Sequence, residues 1–97
     1  FDCSGFTSFV VMRALGISIG HSVGAQWGVG TPVATSNLQP GDLVFFRNTY
    51  MPGLSHVGIY AGGGVMINAQ SESTGVRSQY MWDSYWGSRY VGARRIA

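Results

Sequence analysis

Cys3 is the only cysteine among 97 residues, and it opens an apolar stretch within Phe1-Asp2-Cys3-Ser4-Gly5. A lone thiol has no internal disulfide to form. Where a helix begins, it meets free backbone N–H groups and the positive end of the helix dipole, and both favour the thiolate. The thiolate is the reactive form, so this is a place for a nucleophile. A cysteine nucleophile needs a base, and the base needs a third group to orient it. The chain has two histidines. His21 lies in a Gly/Ser-rich stretch that gives an imidazole little support. His56 opens a β-rich run and is the stronger candidate.

The orienting group comes from hairpin register. His56 to Ala61 and Val65 to Ala69 are apolar runs flanking Gly62-Gly63-Gly64, a β-hairpin pattern. If Ala61 faces Val65, Gly58 faces Asn68, and His56 and Asn68 become diagonal neighbours on one face, about 7–8 Å apart at Cα. Gly58 then leaves open space between them. A one-residue slip would turn Asn68 to the other face. In this register the Asn68 amide oxygen accepts from one ring nitrogen of His56 and leaves the other for Cys3. Singly, each residue also suits an ordinary part: a small buried thiol, a core or surface histidine, a turn asparagine. Their joint order points to an enzyme with a Cys-His-Asn site.

The elements that carry these residues are short. The spacing predicts a helix from Cys3 to Leu15, with Phe6, Phe9, Val10 and Arg13 at helical intervals, a broad buried surface, and Gly16 as its stop. Residues 16–41 form an irregular connection rich in Gly, Ser, Thr and Pro. Gly41-Asp42 turns into the strand Leu43 to Phe46, and Asn48 to Leu54 is loop. After the hairpin, residues 70–79 form a polar loop. Tyr80 to Trp86 is an aromatic-rich turn or short helix, and Tyr90 to Ile96 is the last strand. One helix followed by about four strands is an α+β pattern with a small antiparallel sheet.

Composition narrows the function. The length suits one small domain, residues 1–97. No run approaches the roughly 18 apolar residues that span a bilayer, and no signal peptide precedes the opening motif. The chain is therefore expected to be a fragment of a longer protein. The net charge of +2 arises from six arginines against four acids, without lysine. Arg94 and Arg95 are adjacent, but no basic stripe forms, which argues against nucleic acid as a partner. A mild positive bias suits an anionic polymer such as a bacterial wall. Histidines and carboxylates are too sparse for a zinc site, so no metal or other cofactor is expected.

The segments FDCSGF (1–6), LQPGDLVFF (38–46), SHVGIY (55–60) and YVGARRI (90–96) resemble, in order, the signature blocks of the NlpC/P60 cysteine peptidases. The likeness spans essentially the whole chain. It implies a papain-like α+β fold, with a helix carrying the nucleophile packed on an antiparallel sheet. It also implies cleavage of bacterial peptidoglycan stem peptides, most often between D-Glu and a diamino acid such as meso-diaminopimelate. An extracytoplasmic setting follows from that substrate, and other domains of the parent chain are expected from the fragment reading.

By the same resemblance, Cys3 matches the nucleophile, His56 the base and Asn68 the third polar position, where many members have a second histidine. Asp2, Ser4 and Ser55 match positions that shape the site and bind substrate. The tyrosine that members usually carry some ten residues before the cysteine is not in this sequence. Arg77 is a candidate to pair with a stem-peptide carboxylate, and Trp82, Tyr85, Trp86, Gln26 and Trp27 are candidates for groove walls. Two other readings stand beside the endopeptidase. One is an amidase or acyltransferase using the same thiol. The other is a non-catalytic wall-binding or phage-tail module.

Overall fold

The computed structural model describes residues 2–71 and 74–97. Phe1 of the opening motif lies outside them, as do positions 72 and 73 of the expected polar loop. Asp2 starts the first helix, accepting the Gly5 N–H on its side chain at 2.7 Å, an N-cap that satisfies one free amide of the first turn. Helix α1 runs Cys3–Leu15 and ends at Gly16 in the left-handed conformation, where glycine alone carries no steric penalty. The helix buries less apolar surface than its composition suggests. Cys3, Ser4, Thr7, Ser8 and Val11 form the inward stripe, while Phe9, Met12 and Leu15 stay 45–47% exposed. Small inward side chains let the helix lie close to the sheet, and the bulky ones fall on its far side.

Residues 16–41 are more ordered than expected. They contain α2 (Val23–Trp27), β1 (Thr31–Val33) and a 3-10 turn at Thr35–Asn37. Such short pieces show no periodicity in sequence. Helix α2 depends on its cap, the Ser22 hydroxyl accepting the Ala25 N–H. The remaining strands are β2 (Leu43–Arg47), β3 (Leu54–Gly62), β4 (Val65–Ser71), β5 (Gly75–Tyr80) and β6 (Tyr90–Arg95), with a single-turn α3 at Ser84–Gly87 before the last. They form one sheet in the order β1-β6-β2-β3-β4-β5, antiparallel throughout. The α+β arrangement of an N-terminal helix on an antiparallel sheet is therefore the observed one. Among the described residues it has six strands rather than about four. The polar stretch after residue 70 holds β5, a mostly exposed edge strand. An edge facing water on both sides carries no apolar alternation to reveal it.

Strand β2 lies near the centre of the sheet, and Leu43, Val44, Phe45 and Phe46 are all 0% exposed. A continuous apolar run is what a strand covered on both faces requires. Leu43 and Phe45 pack with Cys3, Val11, Ile19, Val23 and Val57 beneath α1 and α2. Val44 and Phe46 pack with Met66, Met81 and Ala93 on the other face, closed by Trp82, Trp86 and Tyr90.

The β3–β4 hairpin sets the site. Gly62, Gly63 and Gly64 all have positive φ (96°, 61° and 79°), which explains the glycine triplet. Gly62, not Ala61, faces Val65, and a bulge absorbs the extra residue. Deeper in the hairpin, Tyr60 pairs with Met66 and Ile59 with Ile67, so the register that brings Gly58 opposite Asn68 is retained. Gly58 does not leave open space. A Cβ there would lie 2.9 Å from the Met66 sulfur and 3.2 Å from Asn68 Cβ, so a side chain at 58 would have to displace Met66. No helix among the described residues is long and apolar enough to cross a membrane.

Candidate active site

His56 Nε2 lies 2.8 Å from Asn68 Oδ1, in a pair only 2% and 0% exposed. The Asn68 amide nitrogen donates to the Arg77 carbonyl at 3.1 Å, in the register that pairs Asn68 with Arg77 across β4 and β5. A carbonyl only accepts, so the amide nitrogen must face Arg77 and the amide oxygen must face the ring. That oxygen in turn requires an N–H on Nε2. His56 is therefore the Nε2–H tautomer, with the lone pair of a base on Nδ1. Phe46 and Trp86 flank the ring at centroid distances of 6.1 and 5.0 Å. Burial holds the imidazole below its ordinary pKa, partly offset by the Asn68 hydrogen bond. At neutral pH it is uncharged.

The ladder between β3 and β4 spans Ile59–Gly62 against Val65–Ile67. Helix α1 packs against both strands. The Cys3 thiol donates to the Ser55 carbonyl, sulfur to oxygen 3.9 Å. Cys3 is thus brought to the strand that carries His56, beside its preceding residue, with its hydrogen bond on that carbonyl rather than on the imidazole. Burial is the largest influence on the thiol and pushes its pKa up. The N–H groups of Val57 and Ser4 pull it down, and the Asp2 charge pushes it up again. The net shift is upward, opposite to the sequence expectation that the helix start would yield a thiolate. With Cys3 only 6% exposed, desolvation outweighs the backbone donors. The resting site therefore pairs a thiol with a neutral imidazole.

This has a measurable consequence. A raised pKa leaves less thiolate at any given pH than a free cysteine has, so alkylation of Cys3 by iodoacetamide should be slow at pH 7. Its rate should climb about tenfold per pH unit to a midpoint above the ordinary thiol value of about 8.5. A plateau already reached near pH 7 would show a preformed thiolate instead.

The other candidate residues divide between framework and cleft. Asp2 spends a carboxylate oxygen on the helix cap. Ser4 is buried and donates to the His21 carbonyl at 2.9 Å, and Ser55 is buried with its hydroxyl 2.6 Å from that of Thr49. Arg77 sits exposed on β5 and meets the site through its main-chain carbonyl. His21 stands against α1, its Nδ1 3.4 Å from the Ser8 hydroxyl. Gln26 is not a groove wall, and Trp27 is half-buried against the core. Gln26 is 0% exposed, and Trp27 packs edge-on against Phe45. Trp82 likewise packs on Tyr90. Tyr85 and Trp86 do line a cleft of about 310 Å³ beside His56, with Thr49, Tyr50 and Gln70. Thr49, Tyr50 and Gln70 carried no mark in the sequence. A separate cavity of about 360 Å³, between α1 and the Arg95–Ala97 end of the chain, includes none of Cys3, His56 and Asn68.

Gln26 has a part that the sequence did not reveal. Its amide nitrogen donates to the Ser4 carbonyl at 2.9 Å and the Gly20 carbonyl at 3.0 Å, and its oxygen accepts from Thr7. It therefore pins the first turn of α1, where the thiol sits. Gln26→Leu would bury two carbonyls and a hydroxyl with fewer partners, and should cost about 1–3 kcal/mol in urea unfolding. An unchanged midpoint would show that the network does not hold the helix. Among the described residues, no group of three or more His, Cys, Asp or Glu side chains is arranged to hold a metal ion.

Comparison with known proteins bears on the fold and the family. A family model described as the NlpC/P60 family matches residues 1–95. The chain is 50% identical over 96 residues to the Gamma-DL-glutamyl hydrolase of Bacillus subtilis (strain 168), covering 99% of this chain and 23% of that protein. It is 49% identical over 96 residues to the Probable endopeptidase p60 of Listeria seeligeri, covering 99% of this chain and 17% of that one. The chain thus spans about a fifth of the length of these relatives. Among solved structures, the NlpC/p60 domain of the peptidoglycan hydrolase SagA superposes with a TM-score of 0.79 at 33% identity, covering 99% of this chain and 77% of that one.

Proposed function

The chain belongs to the NlpC/P60 family, and from that premise we propose that it is a cysteine peptidase acting on bacterial peptidoglycan stem peptides. The bond proposed is the amide between D-Glu and a diamino acid such as meso-diaminopimelate. The observation that carries this reading is the buried His56–Asn68 pair, with the imidazole lone pair assigned to Nδ1 and His56 on the strand that receives the Cys3 thiol.

In the proposed cycle, His56 Nδ1 takes the thiol proton as Cys3 Sγ attacks the scissile carbonyl. Deprotonation is coupled to attack because the resting thiol is not ionised. The developing oxyanion lies at the first turn of α1, where backbone N–H groups stabilise it. The C–N bond breaks as His56 returns the proton to the leaving amine, leaving a thioester on Cys3. Water, deprotonated by His56, then releases the acid and restores the thiol. Asn68 holds the ring in one tautomer throughout and does not itself titrate. Asp2, Ser4 and Ser55 frame the thiol, and Arg77 remains the candidate partner for a substrate carboxylate. The setting proposed for this activity is extracytoplasmic, with other domains of the parent chain completing the protein.

A second reading keeps the chemistry and changes the polymer. Identity of 50% to a protein named Gamma-DL-glutamyl hydrolase favours a chain of γ-linked glutamates as an alternative substrate. One experiment separates the two: mass spectrometry of products after incubation with purified peptidoglycan and, separately, with poly-γ-glutamate. Stem-peptide fragments ending at D-Glu support the first reading, and glutamate oligomers alone support the second. Intact polymers in both reactions would argue for a non-catalytic wall-binding module.

A further inference from the structure

The cleft beside His56 has two walls of different origin. Thr49 and Tyr50 come from the loop between β2 and β3, and Tyr85 and Trp86 come from α3. Each wall is a short segment. The loop opens at Asn48, a non-glycine residue with φ of 53°, and is closed at its base by hydrogen bonds between Asn48 and Gly53. Helix α3 is a single turn of four residues, too short to hold itself without tertiary support.

Arg89 joins them. Its Nε donates to the Asn48 carbonyl at 3.0 Å, at the root of the loop. Its Nη1 donates to the Tyr85 carbonyl at 2.9 Å. The guanidinium also lies over the Tyr85 ring, 3.9 Å from its centroid, so it holds the ring that lines the cleft as well as the backbone behind it. The Arg89 carbonyl accepts the Arg47 N–H at 2.9 Å, anchoring this strap to the end of β2. A planar guanidinium can bond two carbonyls and stack at once, whereas an ammonium group is a single compact donor.

We propose that Arg89 is a positioning residue that sets the width of the substrate cleft by tying its loop wall to its helix wall. It does not touch the reacting atoms. Its loss should therefore weaken binding of the peptide more than it slows bond cleavage. This inference rests on the peptidase reading for its kinetic part but not for its structural part.

The test uses Arg89→Ala and Arg89→Lys in the full chain, the lysine variant keeping the charge without the fork. With the tripeptide L-Ala-γ-D-Glu-meso-diaminopimelate as probe, KM should rise about tenfold in both variants while kcat stays within about twofold. Amide hydrogen exchange should quicken together in residues 49–53 and 85–87, with β2 and β3 unchanged. Unchanged exchange in either wall, or a loss confined to kcat, would overturn the proposal. If the unmodified protein does not cleave the tripeptide, the peptidase reading fails on that substrate. The exchange comparison still decides whether Arg89 ties the walls.

Discussion

Cys3→Ala should abolish amide hydrolysis, lowering kcat by about 10,000-fold or more, because no other side chain in the chain is a thiol and nucleophile removal typically costs that much. The loss should come without unfolding. Cys3 contributes a small buried side chain to the core beneath α1, and trimming it to alanine should cost about 1–2 kcal/mol. The hydrogen bond that the thiol donates, to the Ser55 carbonyl, is a weak one. Cys3→Ser provides the sharper comparison. The hydroxyl can still donate to that carbonyl, but it is a far poorer nucleophile beside a base whose pKa burial has lowered. Product release followed by mass spectrometry, with circular dichroism as the control for folding, reads both variants. Undiminished hydrolysis by a folded Cys3→Ala protein would place the nucleophile elsewhere and sink the proposed mechanism.

Asn68→Ala should lower kcat by about 100-fold, since it releases the ring that the amide holds in the Nε2–H tautomer. The substitution strips the acceptor from His56 and the donor from the Arg77 carbonyl together, so some loss of stability should accompany it. Asn68→Asp tests the electrostatics separately. His56 now lies below its ordinary pKa because it is buried. The reaction needs the neutral ring, so activity should persist below pH 6.5 and fall only as the ring gains a proton. A carboxylate at position 68 favours the imidazolium and must move that acid limb to higher pH. The profile of kcat/KM against pH, together with an NMR titration of the His56 ring, measures the shift. An acid limb that stays in place in Asn68→Asp, with full kcat in Asn68→Ala, would remove Asn68 from the mechanism.

The sequence alone determined the parts of this protein that depend on neighbours in the chain. Gly16 marked the end of α1 because a cap acts within one turn. Leu43 to Phe46 announced a strand, and the structure buries it on both faces. The glycine triplet set a hairpin whose register survived a bulge and brought His56 to Asn68. The order of Cys3, His56 and Asn68 was therefore legible, as was their likeness to one family.

Only the tertiary structure decided the rest. The edge strand β5 is polar and exposed, so no apolar alternation betrayed it. Gln26 looked like a groove residue and proved to be a buried tie for α1. Trp27 looked the same and proved to be half-buried, packed against the core. Cys3 shows the same limit in energetic form. Its local setting favours the thiolate, yet burial by distant elements raises its pKa. The strap from Arg89 to Asn48 spans 41 residues of sequence. Caps, turns and periodicity leave marks because they are local, whereas burial and long-range hydrogen bonds are properties of the assembled chain and leave none.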